Sequence, residues 1–147
     1  MKSVTENLFE EYQKIRSSEL SLVQFKILMR LYPSLLVCMS DGQYNTEEQI
    51  GMHQNLRSHV ELLDLASREE KEKKFLKLKD EMEYLSGQVD CWKNQFLSAI
   101  RFELMMDPED KEFIMESLYL FANIHDGICI EEQLQIDELV NELHLTI

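Results

Sequence analysis

Apolar residues along this chain recur every three or four positions, and no segment alternates polar and apolar residues in the manner of a strand. The first run, from about Val4 to Ser17, carries Leu8, Phe9, Tyr12 and Ile15 and predicts a helix with one apolar face. Ser18 or Ser21 offers a cap for a second helix through Leu22, Phe25, Leu28, Met29 and Leu35 to Cys38. Pro33 lies inside that run. Because the apolar pattern continues beyond it, a kink near Tyr32 is expected rather than a break.

Ser40-Asp41-Gly42-Gln43-Tyr44-Asn45 interrupts the pattern, and Thr46-Glu47-Glu48-Gln49 then reads as a capping box opening a third helix with Met52, Leu56, Val60 and Leu63 on one side. Ser67 is placed to cap a strongly charged helix whose inner stripe is Phe75, Leu78, Met82 and Leu85. Its mixed Lys and Glu residues read as a solvated face laced with pairs one turn apart, and Gly87 closes it. The run from Val89 to Met106 carries Trp92, Phe96, Leu97, Ile100 and Leu104, is apolar over more than one face, and is expected to be the central helix of the molecule. Asp107-Pro108-Glu109-Asp110 signals another helix start, with Asp107 as cap, followed by a stripe of Ile114, Leu118, Phe121 and Ala122. After Asp126-Gly127-Ile128-Cys129-Ile130 comes a last helix with Leu134, Ile136, Leu139, Val140 and Leu143. The expectation is an all-α bundle of about six or seven helices, forming one domain over residues 1–147.

Composition narrows the partners. Only four glycines and two prolines punctuate the 147 residues, in keeping with an all-helical chain. A formal net charge of -13 argues against nucleic acid, whose phosphates are bound by Lys and Arg, and favours a cation or a basic protein partner. No run reaches the roughly 20 apolar residues of a membrane span, and the N-terminus lacks a signal peptide, so a cytoplasmic location is expected. Cys38, Cys91 and Cys129 are odd in number and form no CxxC pair, and they read as reduced thiols. Small buried apolar roles suit them, although Cys38 and Cys129 flank different Asp-Gly loops and would approach one another in a pseudo-symmetric fold. His53 and His59 are six apart and cannot form a metal pair one turn apart on a helix.

The chain contains a repeat. LLVCMSDGQYNTEEQI, from Leu35 to Ile50, and YLFANIHDGICIEEQL, from Tyr119 to Leu134, share an apolar helix end, an Asp-Gly, a short loop and Glu-Glu-Gln opening the next helix. The repeat units span roughly 20–66 and 108–145. At these residues the sequence resembles the TerB-like, tellurite-resistance family, whose helical domains carry Asp-Gly-x-hydrophobic-x-x-x-Glu at the junctions of helix pairs. Asp41, Gly42, Tyr44 and Glu48 match that pattern. In the second loop Asp126 and Gly127 match, with Cys129 or Ile128 as the apolar residue, but one residue is missing and the acid falls at Glu132. The resemblance implies a non-enzymatic binding or adaptor domain in a stress-response or envelope-associated complex.

Asp41, Glu48, Asp126 and Glu132 are the candidate ligands for a hard cation, Ca²⁺ or Mg²⁺, since both ions take oxygen donors. The loops lack the spacing of acids that an EF-hand requires. The competing reading makes each Asp a cap or turn former and each Gly the turn itself. No Ser/His/Asp constellation or phosphate-binding glycine loop is present, so no catalytic residue is named. The enzymatic alternative is a metal-dependent hydrolase built on the loop carboxylates.

Overall fold

Each predicted helix is present. The computed structural model describes residues 3–17, 20–39, 46–61, 67–112, 114, 115, 118 and 130–145, without the side chains at 47, 48, 55, 58, 59 and 132. The helices are α1 (Val4–Arg16), α2 (Leu22–Cys38), α3 (Thr46–Glu61), α4 (Arg68–Ser86), α5 (Val89–Met106), α6 (the helical residues 110–112, 114, 115 and 118) and α7 (Ile130–Glu142). There is no strand among the described residues, and no helix there is long and apolar enough to cross a membrane.

Local chemistry sets the starts of α1, α2 and α4. The Ser3 hydroxyl accepts the Glu6 N–H at 3.1 Å. Ser21, rather than Ser18, caps α2 in a complete box: its hydroxyl accepts the Gln24 N–H, and the Gln24 side chain accepts the Ser21 N–H. Ser67 does the same half-duty for α4 by accepting the Glu70 N–H at 3.2 Å. Two expected starts shift. Helix α3 already includes Thr46, and the residues before it lie outside the described residues. Asp107 ends α5, donating its N–H to the Glu103 carbonyl, while residues 108 and 109 form a turn before α6. Proline's missing N–H is harmless in such a turn.

Helix α2, not α5, runs through the centre. Thirteen of its 17 residues are buried, including the unbroken run from Leu31 to Cys38, and it packs on α1, α3, α4, α5 and α7. Beyond Arg30 it carries no charged side chain, so it can be enclosed all round. It continues through Pro33 without a break, as expected. Helix α5 is one-sided: Trp92, Phe96, Leu97, Ala99, Ile100 and Leu104 face the core, while Asn94, Gln95 and Ser98 face water.

Two other expected core residues are outside the core. Ile15 is 63% exposed, because in the last turn of α1 the inward position belongs to Arg16; Thr5, Leu8 and Tyr12 form the buried stripe. Leu134 is 63% exposed, because α7 buries the opposite side through Ile136, Leu139 and Leu143. The charged helix α4 buries Phe75, Leu78, Met82 and Leu85 as expected. Along its own length Lys73 pairs with Glu69 at 3.7 Å, and a shorter ion pair, from Arg57 to Glu72 at 2.8 Å, crosses to α3.

Aromatic rings join α1, α2, α4 and α5. Tyr12 lies 5.2 Å from Phe25, 5.1 Å from Trp92 and 6.2 Å from Tyr84 between ring centroids, and Tyr32 stacks on Phe96 at 4.6 Å. Such pairs contribute roughly 0.5–1.5 kcal/mol each beyond their burial.

Candidate functional site

The two Glu-Glu-Gln segments of the repeat lie on helices, Glu47, Glu48 and Gln49 within α3 and Glu131, Glu132 and Gln133 within α7. Both helices pack on α2. Asp41 and Asp126, with their loops, lie outside the described residues, as do the side chains of Glu48 and Glu132 and the whole of Cys129. Cys38 is buried and Cys91 exposed. His53 is half-buried, and the side chain of His59 lies outside the described set. Among the described residues no three His, Cys, Asp or Glu side chains are grouped to hold a metal ion.

The best-built polar cluster is one that the sequence did not announce. Glu81, on the inner face of α4, accepts the Tyr12 hydroxyl at 2.6 Å and the Arg16 Nε at 3.0 Å on one oxygen, and Arg16 Nη2 at 3.0 Å on the other. Arg16 lies over the Tyr84 ring, 4.1 Å from its centroid, and Tyr84 accepts the Trp92 indole N–H at 2.9 Å. Burial, followed by the bond to a carboxylate, pushes the Tyr12 phenol far above its ordinary value. The Glu81 carboxylate likewise holds the Arg16 guanidinium above its own. Glu81 thus ties α4 to α1, with both of its oxygens engaged. Its place could have been found from spacing, since it sits three residues after Leu78 and four before Leu85, within the inner stripe.

A second cluster joins α3 and α4. Arg57 forks onto Glu72 with bonds of 2.8 and 3.2 Å, and its guanidinium lies 3.8 Å from the Phe75 ring centroid. The bond from Arg57 holds the Glu72 carboxyl below its ordinary range. Beside them runs an open groove of about 390 Å³ lined by Ile50, His53, Gln54, Arg57, Glu61 and Phe75. Burial and, secondarily, nearby Lys79 lower the His53 pKa, with Glu83 opposing.

The third arrangement is a narrow cleft over Met29, Ile100, Leu104 and Ile114. Lys26 reaches Glu103 at 3.9 Å and Arg30 reaches Asp110 at 3.5 Å across its rim, both longer than a charge-assisted hydrogen bond. Glu103 is also held by the Thr5 hydroxyl. These pairs position α2 against α5 and α6. Compared with known proteins, the chain matches no family model, no curated protein and no solved structure.

Proposed function

We propose that the protein is a non-enzymatic, TerB-like binding or adaptor domain that acts in a stress-response or envelope-associated complex through a protein partner. Its Asp-Gly loops take a divalent cation, Ca²⁺ or Mg²⁺, with Asp41 and Glu48 as the principal ligands and Asp126 and Glu132 as the second, weaker set. The observation that carries this reading is the repeat itself, in which two Asp-Gly segments each lead into Glu-Glu-Gln on a helix. A binding role also accords with the described polar clusters, in which Glu81 is engaged by Arg16 of α1 and Glu72 by Arg57 of α3.

A ligand that binds only the folded form raises stability by mass action, by about 2.7 kcal/mol at a hundredfold excess over Kd. The melting temperature of the whole protein should therefore rise with Ca²⁺ or Mg²⁺. Asp41→Asn keeps much of the capping and turn-forming capacity while removing the charge, so it should abolish the shift; Asp126→Asn should reduce it less. A melting temperature indifferent to every divalent ion would reduce the loops to turns and caps and leave the partner as the whole function.

A further inference from the structure

We infer that the outward face of α7 docks a cationic amphipathic helix of a partner protein, an inference that rests on the binding-domain reading and gives its partner a chemistry. Ile136, Leu139 and Leu143 turn one side of α7 into the bundle. With about 3.6 residues per turn, Ile130 and Leu134 fall one turn apart on the other side, and there they are 77% and 63% exposed. Isolated exposed aliphatics are ordinary, but two at this spacing on one face match the anchors by which helices recognise each other.

Charge selects the occupant. Every ionisable residue of α7 is an acid: Glu131, Glu132, Asp137, Glu138 and Glu142. Glu138 and Glu142 are reached from α5 by Lys93 at 3.8 Å and Arg101 at 3.9 Å. Glu131 and Asp137 are exposed, Asp137 accepting an amide N–H from Gln133 at 2.9 Å, and by helical phase Asp137 flanks both aliphatics. The face is therefore an aliphatic pair rimmed by carboxylates. A second copy would set two wholly acidic helices against each other, and an anionic surface would be repelled by a chain of net charge -13. A partner helix with aliphatic residues one turn apart and Lys or Arg beside them meets both features at once.

The test is a fluorescence-anisotropy titration of the full chain with a labelled synthetic peptide of Leu, Ala and Lys patterned at the helical period, in EDTA. The wild type should bind, more weakly as salt rises. Ile130→Ser/Leu134→Ser should lose about tenfold or more in affinity, whereas Leu76→Ser, at a 48% exposed position on α4, should bind as the wild type does. A peptide of equal composition with the pattern scrambled should also bind about tenfold more weakly. Equal binding by the wild type and the α7 double variant, equal binding of the scrambled peptide, or no binding at all would overturn the proposal. So would self-association of the wild type that the double variant abolishes. Because EDTA removes divalent ions, a failure here bears on α7 alone, while the ion-dependent melting shift tests the Asp-Gly loops separately.

Discussion

Ser17 and His144 hold left-handed backbone conformations, with φ of 50° and 54°, that glycine adopts at less cost. Both lie just past a helix end. At the end of α7 the His144 N–H reaches back to the Asn141 carbonyl and the Leu145 N–H to the Val140 carbonyl, while Leu145 itself is buried; together these make a complete Schellman ending. Ser17→Gly and His144→Gly should each raise the free energy of unfolding by up to about 1 kcal/mol, as the relief of strain outweighs glycine's entropy. Gly87 presents the opposite case. Its φ is -91°, and an added Cβ would come no closer than 3.7 Å to the Tyr84 carbonyl oxygen. Gly87→Ala should stabilise by about 0.4–1 kcal/mol through the unfolded chain. Urea unfolding measures all three, and a lower midpoint for Gly87→Ala would show that the end of α4 needs a conformation alanine cannot take.

Helices α1 and α4 are joined by a charged pair set among aromatic rings, and that pair can be separated from the packing around it. Removing one member of an enclosed ion pair leaves the other desolvated and alone, at a cost of roughly 3–5 kcal/mol; replacing both by apolar groups is close to neutral. Arg16 keeps 31% of its side-chain surface in water, so Glu81→Met alone should cost less, about 2 kcal/mol. The double variant Arg16→Met/Glu81→Met should recover the part of that loss due to the orphaned guanidinium in thermal or urea unfolding, while the buried Tyr12 hydroxyl stays without its acceptor, and additive losses would show that the two side chains act independently. The reach and failure of sequence periodicity are both visible in these helices. Spacing placed the four inner residues of α4 and the Ser67 cap, and narrowed the α2 cap to Ser18 or Ser21, because those depend on neighbours within a turn. It misplaced Ile15 and Leu134 and centred the molecule on α5, because a periodic stripe says which residues share a face but not which face finds a neighbour. The Asp-Gly repeat was legible as a pattern. The geometry of its loop carboxylates was not, because spacing along a chain does not say which loops meet.

With 15 basic residues against 28 acids, the molecule places several of its cations between helices, as in Arg16–Glu81, Arg57–Glu72, Lys26–Glu103 and Lys93–Glu138. The remaining acids leave a surface that repels its own kind, which disfavours aggregation and also weakens the compact state. Against that repulsion stands the apolar interior gathered around α2. Where α2 is enclosed, from Leu31 to Cys38, its amide protons cannot exchange with solvent by fraying at one flank; water reaches them when the neighbouring helices part. In native-state deuterium exchange, the amides from Leu28 to Cys38, apart from Pro33, should therefore be the last to label, at a rate set by opening of the whole bundle, while those in the final turns of α1 and α7 label far earlier. Early labelling of that segment would reveal a route by which the bundle loosens around its own axis without unfolding.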